Sequence, residues 1–122
     1  MKNIDILTIV TAYQQTDGTL TLPAKVAWTR RVNIRKLIEA KSIIDEALQD
    51  IQKQYADDEH SEATEDGQRK VKPQYIAAYA QAQADVLTQE TDVDVKTIGI
   101  EELGDITLTD KQMDTIAFMI SE

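Results

Sequence analysis

Arg31 and Arg35 stand four residues apart in the sequence, the closest this chain comes to a recognition motif. On a helix they share a face, and two successive guanidinium forks can grip carboxylates or phosphates bidentately. They belong to a group of six basic residues between Lys25 and Lys41, where Glu39 is the one acid. Three roles compete for this group: a solvated face paired with the acidic C-terminal section, a docking point for an acidic patch on a partner protein, or contact with nucleic acid. The last lacks any helix-turn-helix or zinc-finger spacing. Acidic clusters offer the other chemistry. Asp57-Asp58-Glu59-His60 sets the chain's single histidine beside carboxylates, which are metal-ligand types, but without a second element at a fixed spacing. Glu101, Glu102 and Asp105 suit magnesium or acid–base work, yet no histidine or lysine base stands in an obvious position. Gly67 follows the loop acids instead of dividing them, so calcium-loop spacing is absent, and no glycine-rich phosphate loop occurs. The chain is therefore read as non-enzymatic, with no catalytic residue, no metal and no cofactor.

Composition agrees with that reading. The 122 residues are 42% apolar and carry a net charge of -9, enough for one domain with a modest core. An acidic surface opposes direct binding of nucleic acid, whose phosphates attract basic protein. It also raises the opposite idea, that Asp57-Asp58-Glu59, Glu65-Asp66 and Glu101-Glu102 imitate a nucleic acid and block a basic groove. Charge is segregated, since residues 89–122 hold nine acids against two lysines. Absence of cysteine excludes disulfides and thiolate chemistry. The opening MKNIDILTIV is short and interrupted by Asp5, so neither a signal peptide nor a membrane span is expected. The expected location is the cytoplasm of the cell that makes the protein, with a virion as a second destination.

The elements that would carry these residues follow from periodicity. Ile4, Ile6, Leu7, Ile9 and Val10, then Asp17-Gly18 and Thr19-Leu20-Thr21-Leu22, predict a β-hairpin. The competing reading is a short helix through Val10 and Tyr13. Pro23 opens a stretch free of glycine and proline to about residue 57. There Ile34, Leu37, Lys41, Ile44, Leu48, Ile51 and Tyr55 recur at three-four spacing, a coiled-coil-like stripe on a helix of about 30–35 residues. Lys41 in that stripe either snorkels or sets register against a second copy. Residues 58–71 read as a solvated charged loop, and Pro73 opens a shorter return helix through Tyr75, Tyr79, Ala82 and Val86. Val93, Val95 and Thr97 alternate as a strand, and Thr109 with Gln112 forms a capping box for a last helix through Met113, Ile116 and Ile120.

The fold class is thus α+β: a long antiparallel helical hairpin attached to a small antiparallel sheet and a short C-terminal helix. Residues 1–122 form a single domain, in which 1–22 and 91–122 make a compact end and 23–90 a projecting hairpin. Trp28 is expected in the core under the sheet, with an interface anchor as its other role. Tyr55, Tyr75 and Tyr79 are expected to meet in the far half of the hairpin.

The run LPAKVAWTRRVNIRKL, the long helix ending in QKQYADDE and the closing ITLTDKQMDTIAFMI together resemble small proteins encoded by bacteriophages and prophages of Gram-positive bacteria. The resemblance spans most of the chain and carries over neither an activity nor site residues. It implies a phage context. The expected function is a non-enzymatic protein-interaction module, a virion or assembly accessory, acting as a homo-oligomer or with a phage or host protein. The alternative is an acidic inhibitor of a host nucleic-acid-binding or defence protein. Expected contact residues are Trp28, Arg31, Arg35, Ile34, Leu37, Lys41, Ile44, Leu48, Ile51 and Tyr55.

Overall fold

The computed structural model describes residues 1–16 and 20–121. Its spine is α2, Ala24–Gln54, whose 31 residues match the expected long helix. The sequence there is rich in helix formers and lacks breakers, and Pro23 presets the entry just before the first turn. After Tyr55 the chain turns through a β-hairpin, β1 (Ser61–Ala63) and β2 (Arg69–Val71), and returns as α3, Pro73–Leu87. The expected helical hairpin, small antiparallel sheet and short C-terminal helix are all present, so the class is α+β.

Two placements differ from expectation. The N-terminal segment is a helix, α1 (Asn3–Thr16), not a hairpin strand. Its β-branched residues fit either period, and burial decides: Ile6 and Val10, one turn apart, are both wholly buried against Ile34, Leu37 and Ile44 of α2. The Asp17-Gly18 turn lies outside the described residues. Correspondingly, the antiparallel sheet is not at the compact end but in the segment read as a loop, with Ser61 opposite Val71 and Ala63 opposite Arg69. Arg69 holds it: Nε donates to Ser61 Oγ (3.0 Å) and Nη2 to Asp58 (2.9 Å). Gly67, at φ 82°, takes the left-handed turn position between the strands.

The C-terminal section forms the second layer. Residues 91–97 take no regular secondary structure, with the Val95 N–H turned back onto the Val93 carbonyl (3.0 Å), and β3, Ile98–Gly99, pairs in parallel with β4, Ile120–Ser121. Helix α4, Asp110–Asp114, starts at the expected capping box: Gln112 N–H donates to Thr109 Oγ1 (3.1 Å) and Thr109 N–H to Gln112 Oε1 (3.0 Å). It ends earlier than the apolar pattern suggests. Ile116 and Met119 must both enter a core with Val26, Ile98 and Leu103, and Ile120 must reach β3, so a 3-10 turn at Ala117–Met119 replaces further α-helix. Phe118 touches both this cluster and the α1–α2 core.

Buried polar groups join the layers. Asn33, wholly buried on α2, donates from Nδ2 to the Lys96 carbonyl (2.8 Å) and accepts from the Lys96 N–H (2.9 Å). Asn3 does similar work at the other end, donating to the Val86 carbonyl (2.8 Å) while its own N–H donates to Gln89 (2.9 Å).

Candidate interaction surface

Helix α2 divides the expected contact residues into two sets. Its inward stripe is spent inside the molecule. Ile34, Leu37 and Ile44 are buried, Leu48, Ile51 and Tyr55 half-buried, with α1 and α3 as the covering elements. This corrects the expectation that the stripe serves as an assembly seam, because the short N-terminal helix fills the half that α3 cannot reach. Lys41 snorkels: its ammonium meets Asp45 one turn on at 2.5 Å, a pairing that explains its place in the seam without a second copy.

Trp28 is the larger correction. It is 67% exposed, so it does not lie under a sheet. At 100° per residue Trp28 points directly away from Leu37, and Arg31 and Arg35 lie within about 60° of it, all three exposed. An exposed tryptophan beside two arginines has the composition of an interface anchor. Since Trp28 is mostly exposed, Trp28→Ala should change unfolding free energy by less than about 0.5 kcal/mol in a urea titration. A larger loss would return the side chain to the core.

The basic group is partly used. Lys25 meets Glu102 at 3.1 Å, and Lys36 donates to the Asp94 carbonyl at 2.8 Å, so two lysines tie α2 to the acidic C-terminal section. Arg30 stacks over the Tyr13 ring, 4.5 Å from its centroid. None of the ion pairs among the described residues uses Arg31 or Arg35. The solvated-face reading thus holds for Lys25 and Lys36.

Glu102 has a further consequence. Its carboxylate accepts the Gly99 N–H at 2.8 Å as well as the Lys25 contact, and these, the Gly99 bond first, hold its pKa below the ordinary glutamate value. A carboxyl depressed by folding stabilises above its unfolded pKa, and the contribution disappears as pH falls through the folded value. Wild type should therefore exceed Glu102→Gln in urea midpoint at pH 7, with the gap closing below the ordinary value of 4.5. A gap independent of pH would sink this assignment.

The histidine cluster is explained by the turn that holds it. His60 Nδ1 lies 2.6 Å from Asp57 Oδ1, which also accepts the His60 N–H at 3.0 Å; these bonds, side chain first, lower the Asp57 pKa. The imidazole is wedged between Tyr55 (5.2 Å between centroids) and Tyr75 (4.6 Å), and Tyr55 meets Tyr79 edge-on at 5.2 Å. Tyr55 and Tyr79 thus meet directly as expected, while Tyr75 joins them only through His60. Ligand atoms of Asp57, Glu59 and His60 lie within 4.8 Å of one another, but both carboxylates are exposed. Each acidic pair or triplet proposed for mimicry has a member tied to its own chain: Asp57 to His60, Asp58 to Arg69, Asp66 to Thr64 and Glu102 to Lys25.

Sequence reasoning does not reach the roles of Asn33 and Asn3. An asparagine in an apolar helical stripe is a signal for a buried polar anchor, but only the fold shows what it grips. No helix among the described residues is long and apolar enough to cross a membrane. No family model matches the chain, and no curated protein or solved structure is significantly similar to it.

Proposed function

We propose that this protein is a non-enzymatic interaction module serving a phage as a virion or assembly accessory, made in the host cytoplasm. The observation that carries the reading is the outer face of α2. There Trp28 is 67% exposed beside Arg31 and Arg35, while the opposite stripe of the helix, Ile34, Leu37 and Ile44, is buried by its own chain. A soluble domain gains nothing in folding from a bare tryptophan, whereas a contact surface gains a large apolar anchor flanked by two charged forks. The phage context comes from the resemblance of residues 22–37 and 106–120 to small phage and prophage proteins. The alternative, an acidic inhibitor of a host nucleic-acid-binding or defence protein, draws its support from the net charge of -9.

The test follows the tagged protein through phage particle formation. Sedimentation with particles or assembly intermediates is expected, and Trp28→Ala with Arg31→Glu should reduce that share by about tenfold. Recovery only on a host nucleic-acid-binding protein would favour the inhibitor. Complete absence from particles, with normal phage yield from the variant, would refute the assembly role.

A further inference from the structure

We propose that the outer face of α2 binds the same face of a second copy, antiparallel, about a two-fold axis beside residue 37. The inference rests on reading this face as an interaction surface and adds what occupies it.

The apolar evidence is its concentration on one helix. Six large hydrophobic residues are exposed among the described residues, and three of them, Trp28 (67%), Ile38 (41%) and Ile43 (69%), belong to one 16-residue stretch of α2. On the helix Ile38 and Ile43 flank the line on which Trp28 lies, Ile38 on the side nearer Gln14 of α1 and Ile43 on the side nearer Thr91 to Asp94.

The charge evidence selects the partner. Arg31, Arg35, Glu39 and Glu46 share that outer face, and none of the ion pairs among the described residues uses them. Bases precede acids along the helix. A second α2 laid parallel would set like charge against like, but one laid antiparallel sets Arg35 opposite Glu39 of the partner subunit, twice by symmetry. Trp28 then covers the turn between Ile43 of the partner subunit and Glu46 of the partner subunit. A face whose charge order reverses along its length is complementary to itself, which an unrelated acidic partner would not require. Glu39 and Glu46 would repel such a partner from the half of the face that Ile38 and Ile43 occupy.

Sedimentation equilibrium of the full chain at about 0.15 M salt tests this. Wild type is expected to dimerise with rising concentration. Arg35→Glu should weaken dimerisation by about tenfold or more, Glu39→Arg likewise, and the double swap Arg35→Glu/Glu39→Arg should restore it to within about threefold. Because these positions are exposed, circular dichroism should show every variant folded. Monomers throughout the concentration series, a dimer indifferent to Arg35→Glu, or a double swap that fails to restore would each overturn the proposal. So would a monomer that binds an unrelated acidic peptide through Arg31 and Arg35. Failure here leaves the assembly role standing if Trp28→Ala still removes the protein from particles. A restored dimer with no particle association refutes that role alone.

Discussion

Leu37→Ala is expected to lower the unfolding free energy by about 2–5 kcal/mol, the cost of deleting a fully buried leucine and leaving a partly relaxed cavity. Leu37 is wholly buried, as are Ile6 and Val10 of α1, and these belong to the cluster through which α1 rests on the spine. Leu48 on the same stripe is only half-buried, so Leu48→Ala should cost less than Leu37→Ala. Urea unfolding followed by far-ultraviolet circular dichroism suits the measurement, because the exposed Trp28 reports poorly on core formation. Hydrogen exchange adds a local readout: in Leu37→Ala, the α1 amides should lose protection before those in the middle of α2. Loss below about 1 kcal/mol, with α1 still protected, would mean that α1 is held by something other than this core.

Asn33→Leu is expected to cost about 2–4 kcal/mol. Two hydrogen bonds vanish together, and the Lys96 N–H and carbonyl are left facing an apolar side chain. Lys36 also ties segment 91–97 to α2, through the Asp94 carbonyl, but that contact is solvent-exposed, so Asn33 supplies the buried tie for a segment with no strand partner of its own. Asn33→Asp gives an independent check. The aspartate can accept the Lys96 N–H, but when ionised it faces the Lys96 carbonyl with a buried charge. Protonated, it can donate to that carbonyl, so burial raises its folded pKa and its penalty grows as pH rises above the unfolded aspartate value. Asn33→Asp should therefore lie closer to wild type at pH 4 than at pH 7. An equal penalty at both pH values would show that the acid escapes to solvent.

Several elements were legible because local chemistry and burial agree. The stripe from Ile34 to Tyr55 has one period, no breaker and an opening proline, and α2 follows it almost to the residue. The Thr109–Gln112 box needs only its own turn, so it marks the start of α4 correctly, whereas the end of that helix depends on where Ile116, Met119 and Ile120 must go. The Asp66-Gly67 turn is not read as a hairpin from sequence because its flanks are polar and charged, whereas strands held by Arg69 and Lys72 hydrogen bonds need no apolar alternation. The contact of Tyr55 with Tyr79 follows from placing the turn between two helices of known phase, whereas the link to Tyr75 runs through His60, which that placement does not include.

By itself the sequence determined the long helix, its return partner, the capping of α4 and the segregation of charge, since each depends on residues within a few turns of one another. Tertiary structure alone decided that residues 3–16 are helical, because their apolar pattern fits both periods and the uncovered half of α2 chooses the one that buries Ile6 and Val10. It also decided which side of α2 faces water. That choice depends on long-range contacts, the Asn33 grip on Lys96 and the Leu37 contact with α1, which place Trp28, Arg31 and Arg35 on the only side left.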